Sequence, residues 1–176
     1  MSTLPSIDAA REALRAHVLQ HSLKTGDFTL KSGRTSKWFL DTKQTACRAD
    51  GILLVADVAL SLLPNEITAI GGLTMGADPV AYGIAAVAAT RGRQLRSFSV
   101  RKEAKDHGVT GRIAGALLPG DKVAIVEDTV TRGLSIFEAV DAVRAFGAIP
   151  QFITVIVDRG ETCAQMAQEA GIDYEP

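Results

Sequence analysis

Apolar positions along this chain alternate between helical spacing and short unbroken runs. From Ile7 to about Gln20 they fall at Ile7, Ala10, Leu14 and Val18 with charges between, which predicts an amphipathic helix. Gly51 to Leu63 reads as a buried helix stopped by Pro64. Pro79 stands in the first turn of an alanine-rich helix, Ala139 to Phe146 continue a helix that Gly147 closes, and Thr162 to Glu169 form the last one. Between these lie the runs Ile67–Ile70, Arg96–Val100, Val123–Val126 and Gln151–Val157, each of the length and composition of a strand covered on both faces. Near the start, Phe28-Thr29-Leu30 and Trp38-Phe39-Leu40 flank Lys31-Ser32-Gly33-Arg34-Thr35, a hairpin pattern. Strands alternating with helices predict an α/β domain with a mostly parallel central sheet flanked by helices, and ligands in such sheets gather at the strands' carboxyl ends.

Bulk properties narrow the class. At 176 residues and 47% hydrophobic, the chain fits a single domain over 1–176, without repeats, low-complexity tracts or a linker. A net charge of −1 points away from nucleic acid and polybasic membrane surfaces. No apolar run reaches the roughly 18 residues of a membrane span, and the N-terminus is charged where a signal peptide needs an apolar core. Cys47 and Cys163 have no metal-ligand spacing and read as small buried residues in a reducing compartment. The expectation is a soluble, cytoplasmic protein.

Chemistry concentrates in residues 122 to 135, KVAIVEDTVTRGLS. A buried strand ends in adjacent carboxylates, Glu127 and Asp128, and a turn rich in hydroxyls and glycine, Thr129 to Ser135, leads into a helix. Turn amides and a helix N-terminus bind phosphate, while carboxylates beside them would repel it unless they served another part of the same ligand. Vicinal hydroxyls a few ångströms from a phosphate answer both demands, and a ribose 5-phosphate has them. A second constellation, Arg101-Lys102-Glu103-Ala104-Lys105-Asp106-His107-Gly108-Val109-Thr110-Gly111-Arg112, is almost free of apolar residues and reads as a mobile loop over 101–112. Such charge runs are usually solvated faces. Here Arg101, Lys102, Lys105 and His107 also gather cations in a nearly neutral chain.

Four segments together, FTLKSGRTSKWF (28–39), GGLTMGADP (71–79), RKEAKDHG (101–108) and VAIVEDTVTRGLS (123–135), resemble the type I phosphoribosyltransferases, and specifically the orotate branch. The last segment is similar to the motif for 5-phosphoribosyl-1-diphosphate (PRPP) shared across the superfamily; the 101–108 loop and the LKSGR hairpin are more specific. The resemblance implies the type I phosphoribosyltransferase fold, with a small hood from about residues 1–45 plus the C-terminal end. It implies magnesium-dependent transfer of ribose 5-phosphate from PRPP to orotate, giving orotidine 5′-monophosphate and diphosphate in pyrimidine synthesis. Glu127 and Asp128 then bind the ribose hydroxyls. Thr129, Thr131, Arg132, Gly133, Leu134 and Ser135 surround the 5-phosphate, and Thr74, Met75 and Gly76 lie at the diphosphate. Arg101, Lys102, Lys105 and His107 form a catalytic loop that reaches the neighbouring subunit's site in a homodimer. Lys31, Phe39, Thr131 and Arg159 contact orotate. Magnesium is held mainly by PRPP oxygens and water, with Asp128 as the protein's candidate ligand.

The chain departs from the family pattern in several places. Met75 stands where many orotate enzymes carry a lysine, which implies greater reliance on Lys102, Lys105 and the main-chain amides of Thr74 to Gly76. Asp78 is read as the cap of the helix at Pro79, with an approach to magnesium as the alternative. Arg132 either adds a phosphate contact or points to solvent. Trp38 is read as packing. The chain ends at Pro176, sooner after the last helix than the resemblance implies, which leaves open whether a final strand joins the hood. His17 and His21 have the i, i+4 spacing of a metal pair but no acidic partner nearby in sequence, and are read as surface or packing residues. Two competing readings share the 123–135 motif: a purine or uracil phosphoribosyltransferase, and a non-catalytic PRPP sensor.

Overall fold

The computed structural model describes residues 6–29, 33, 35–105, 111–160 and 162–176, with the side chains of residues 104 and 105 outside that set. The Ser6 hydroxyl accepts from the Ala9 amide at 3.3 Å and starts α1 (Ile7–His21), whose Ala10, Leu14 and Val18 are buried as their spacing predicts. β1 (Leu23–Thr29) and β2 (Thr35–Leu40) follow as an antiparallel pair with Thr29 opposite Thr35, so the hairpin pattern holds. Next come α2 (Lys43–Ala46), α3 (Ala49–Leu62), β3 (Ala69–Leu73), α4 (Ala77–Thr90), β4 (Arg96–Lys105) and β5 (Gly111–Gly115). The chain finishes with β6 (Lys122–Val130), α5 (Leu134–Phe146), β7 (Ile149–Asp158), α6 (Cys163–Ala170) and β8 (Asp173–Tyr174).

The central sheet has the order β5-β4-β3-β6-β7-β8, and every neighbouring pair is parallel except β4 with β5. Alternate residues of its middle strands feed two cores. Ala69, Val123, Ile125 and Ile153 pack with α5 and α6 on one face. Ile70, Ala124, Val126 and Phe152 pack with α1, α3 and α4 on the other. Burial on both faces is why these strands read as unbroken apolar runs.

Four features differ from the pattern-based expectation. β3 starts at Ala69 and runs through Gly71 and Gly72, past the end of the apolar run at Ile70. Both glycines are needed inside the sheet, because a Cβ on Gly71 would strike Phe98 O and one on Gly72 would strike Val126 O. β6 likewise continues through the acid pair to Val130. The polar stretch 101–112 is not a single loop: Arg101–Lys105 extend β4, and Gly111 and Arg112 open β5. β8 adds to the main sheet beside β7, an element too short to register as a period. Among the described residues no helix is long and apolar enough to cross a membrane. Cys163 is buried as expected, whereas Cys47, at the exposed corner between α2 and α3, is not.

Candidate functional site

The carboxyl ends of β3 and β6 lie side by side, since Gly71 pairs with Ile125, and this brings the glycine-rich turn to the acid pair. Glu127 and Asp128 are only 6% and 7% exposed. Gly76 packs directly against both: a Cβ there would overlap Glu127 Oε1 and come within 2.7 Å of Asp128 Oδ1. Asp128 is tightly held. Its Oδ2 accepts from Lys43 Nζ at 2.7 Å and Thr42 Oγ1 at 2.9 Å, and its Oδ1 from the Thr129 amide at 2.9 Å. Thr42 also bonds Thr129 Oγ1 at 2.6 Å.

This environment splits the two acids. Burial, reinforced by the adjacent Asp128 carboxylate, pushes Glu127 up to about 8. Burial also pushes Asp128 upward, but the hydrogen bonds centred on Lys43 outweigh it and leave Asp128 below the ordinary carboxylate value. Lys43 moves up in turn: burial lowers it, and its bond to Asp128 more than compensates. Glu127 is thus the more readily protonated member of the pair.

Beyond Val130 the chain turns through Thr131, Arg132 and Gly133 into α5. Gly133 takes φ +84° at the N-cap and provides no side-chain cap. The N–H groups of Leu134, Ser135 and Ile136 precede the first intrahelical donor, Phe137, whose amide bonds Gly133 O at 3.0 Å. Amides so placed, without helical partners, can hold an anion at the end of the strand that carries the acids. Arg132 is exposed, and its carbonyl is held by Thr162 Oγ1 at 2.8 Å.

The turn after β3 also corrects two expectations. The Thr74 amide donates to Val100 O at 2.9 Å, so it is part of the sheet and leaves Met75 and Gly76 as the amides this turn can offer a ligand. Met75 is 70% exposed. Asp78 does not cap α4, which begins two residues before Pro79 and has no side-chain cap. Its carboxylate instead accepts from Thr74 Oγ1 at 2.6 Å and Ser99 Oγ at 2.5 Å, and Ser99 meets Tyr82 OH at 2.5 Å.

At the end of β7, the Arg159 amide bonds Val130 O at 3.0 Å, which fixes this residue next to the acid strand. The Arg159 guanidinium carbon lies 5.1 Å from the Trp38 ring centroid. Trp38 is 43% exposed, so it is a stacking partner and not core packing. Phe39 projects from the opposite face of β2 and pairs with Phe28 at 5.7 Å. Arg159 is thus brought to Trp38 and not to Phe39. Beside them opens an apolar groove lined by Leu19, Leu23, Trp38, Leu40, Val157 and Arg159.

Of the cationic set, Arg101 donates to Gly111 O at 3.3 Å, Arg112 Nε donates to Arg101 O at 2.8 Å, and Arg112 pairs with Glu138. Arg101 is therefore tied into the β4–β5 hairpin, while Lys102 is exposed. Lys31, His107 and the Lys105 side chain lie outside the described residues. Sequence reasoning missed Lys43 and Thr42, whose only signal was their place just after the hairpin, far from Asp128 in the chain.

Comparison with known proteins points one way. The chain is 38% identical over 170 residues to the orotate phosphoribosyltransferase of Nostoc sp., covering 96% of this chain and 82% of that protein. It is 39% identical to the Streptomyces avermitilis enzyme of that name, covering 96% and 93%. Among solved structures, Mycobacterium tuberculosis orotate phosphoribosyltransferase in complex with Fe(III) dicitrate superposes with a TM-score of 0.84 at 33% identity, over 94% of this chain and 93% of that one. The PRPP complex of the same enzyme gives 0.78 at 30% identity, with the same coverage. Adenine phosphoribosyltransferase of Saccharomyces cerevisiae, at 15% identity and a TM-score of 0.67, shares the fold alone. No family model matches the chain.

Proposed function

The chain belongs to the orotate phosphoribosyltransferase family, and from that premise we infer that it transfers ribose 5-phosphate from PRPP to orotate, releasing diphosphate and orotidine 5′-monophosphate. One observation carries the assignment of the site: the buried acid pair near the end of β6 abuts the Gly76 turn, and the strand that carries it runs on within a few residues to the uncapped N-terminus of α5.

The ribose hydroxyls of PRPP donate to Glu127 and Asp128. The α5 amides and the hydroxyls of Thr131 and Ser135 receive the 5-phosphate. As N1 of orotate, its proton given up to solvent, bonds to C1, the C1–O bond to diphosphate breaks, and negative charge grows on the leaving group. Cations aimed there stabilise the transition state more than the ground state, and Arg101, Lys102 and Lys105 supply them. His107 is suited to give the departing diphosphate a proton. Arg159 meets the orotate carboxylate and Lys31 a second polar edge of the ring. An aromatic of β2, Trp38 or Phe39, packs the ring itself.

The donors here suit magnesium: Asp128 offers an ionised, hard carboxylate oxygen, and a dication beside it would favour ionisation of Glu127 as well. Asp128 and Glu127 would hold it together with substrate oxygens, and the ion would neutralise diphosphate charge. A cytoplasmic location agrees with two unpaired cysteines.

A homodimer with loop 101–112 crossing to the neighbour's site is supported by the length of β4. Its pairing with β3 ends at Val100, and Arg101–Lys105 continue past that edge. Mixing inactive Lys102→Ala and Asp128→Asn subunits tests this, since partial recovery of activity requires a shared site. The reaction itself is tested by loss of orotate absorbance in the presence of PRPP and magnesium. Consumption of a purine or of uracil, with orotate untouched, overturns the substrate assignment.

A further inference from the structure

Away from this site, α1 and the start of α3 bring together three groups that sequence spacing alone did not connect. His17 and His21 lie on one face of α1, with ring centroids 4.4 Å apart. The first turn of α3 presents Asp50, whose Oδ1 is 3.6 Å from His17 Nε2. The nearest donor atoms of all three side chains lie within 4.8 Å of one another.

His17 is the decisive member. It is 8% exposed, and among the described residues its Nε2 has no hydrogen-bond partner. A separation of 3.6 Å from a carboxylate is too long for a hydrogen bond. Its other nitrogen, Nδ1, is 3.2 Å from Thr45 Oγ1, which in turn bonds Ser22 Oγ at 2.7 Å. With Nδ1–H donating to Thr45, Nε2 directs a bare lone pair toward the Asp50 carboxylate, and two electron-rich atoms face each other across a gap that a cation would fill. Anchoring one ring nitrogen by hydrogen bond while the other stays free is the outer-shell arrangement of metal-binding histidines. The ring is also fixed in place, since a Cβ on Gly51 would come within 2.8 Å of His17 Cε1.

We propose that His17, His21 and Asp50 bind a divalent transition metal of the zinc type. Two imidazole nitrogens and one carboxylate, with a fourth position left to water, suit zinc and disfavour magnesium or calcium. Ligands on bonds of about 2.0–2.2 Å around a tetrahedral ion stand roughly 3.3–3.6 Å apart. The His17–Asp50 distance already meets that value, and the half-buried His21 turns inward to complete the set. Arg48 is the competitor: its Nε and Nη2 donate to the two Asp50 oxygens at 3.1 and 3.2 Å. A bound ion would clamp α1 to the α2–α3 corner that carries Thr42 and Lys43.

The test is titration of the full-length protein with Co2+, read by visible absorption, with a parallel Zn2+ series read by melting temperature. The wild type takes up one Co2+ with ligand-field bands and is stabilised by Zn2+. His21→Ala and Asp50→Asn each weaken binding by about tenfold or more, while circular dichroism and transferase activity without added transition metal stay unchanged. Arg48→Gln tightens binding by freeing Asp50, a change in the opposite direction that general destabilisation cannot produce. No uptake by the wild type, or equal affinity in His21→Ala and Asp50→Asn, overturns the proposal; Co2+ held at Glu127 and Asp128 gives that second result.

Discussion

Lys43 Nζ donates to Asp128 Oδ2 at 2.7 Å, joining residues 85 positions apart. The contact holds Asp128 below the ordinary carboxylate value while burial pushes its neighbour Glu127 up, so a lysine from the short helix α2 biases the charge of the acid pair. Lys43→Met removes that bond and lets burial raise Asp128. Because the lysine side chain is 45% exposed, the expected loss is modest, about 1 kcal/mol or roughly fivefold in PRPP affinity. It should appear as a higher KM for PRPP with little change in the KM for orotate, and equal effects on both would assign Lys43 a purely structural role.

Glu127 gives a pH signature. Its folded value, about 8, lies above the ordinary carboxyl value of 4.5 that an unfolded chain has. Below both values the carboxyl is protonated in either state. As pH rises between them the folded protein retains a proton that the unfolded chain has lost, so the favourable contribution of the protonated group fades until pH passes about 8. Glu127→Gln has no such dependence. Denaturant unfolding without ligands should show the variant gaining on the wild type by at least about 1 kcal/mol between roughly pH 5 and pH 8.5. A constant difference across that range would mean the acid is ionised throughout.

Much of this was written in the local sequence. The apolar runs of β6 and β7 marked the strands, the acid pair and Gly133 marked the turn, and the Ile7–Val18 spacing marked α1. These features are local, a period or a turn residue within a few positions. The remainder depends on contacts between distant segments. Nothing in TKQ at 42–44 indicates that Thr42 and Lys43 grip Asp128, because that contact follows from how α2 packs under the end of β6. The apolar run stopped at Ile70 because glycine carries no hydrophobic signal, yet Gly71 and Gly72 serve close approach to Phe98 and Val126 within the sheet. Asp78 read as a cap because its helix was placed at Pro79; the helix starts at Ala77, and the hydroxyls of Thr74 and Ser99 claim the carboxylate.

The base end of the site can be apportioned between two neighbouring aromatics. Arg159 stacks on Trp38, while Phe39 faces the other way toward Phe28. Trp38→Ala should raise the KM for orotate by roughly five- to tenfold, in line with the ~0.5–2 kcal/mol of a cation–π contact that also positions the guanidinium. Phe39→Ala should mainly lower the melting temperature by loosening the hairpin. The reverse pattern in steady-state kinetics would return the ring contact to Phe39.

Gly76 offers the sharpest steric test, because its constraint has nothing to do with backbone freedom. Its φ of −63° and ψ of −45° suit any residue, so alanine there costs no backbone strain and extends a helix start. The added methyl would nevertheless overlap Glu127 Oε1 and crowd Asp128 Oδ1. One of two things must give: the carboxylates swing away from the ribose position, or the turn backs off the diphosphate position. Either displacement approaches an ångström, enough to cost about 10- to 100-fold in kcat/KM for PRPP. Gly76→Ala should therefore keep a melting temperature near that of the wild type and lose most of its activity. An active alanine variant would show that the turn and the acid pair do not work on the same ligand.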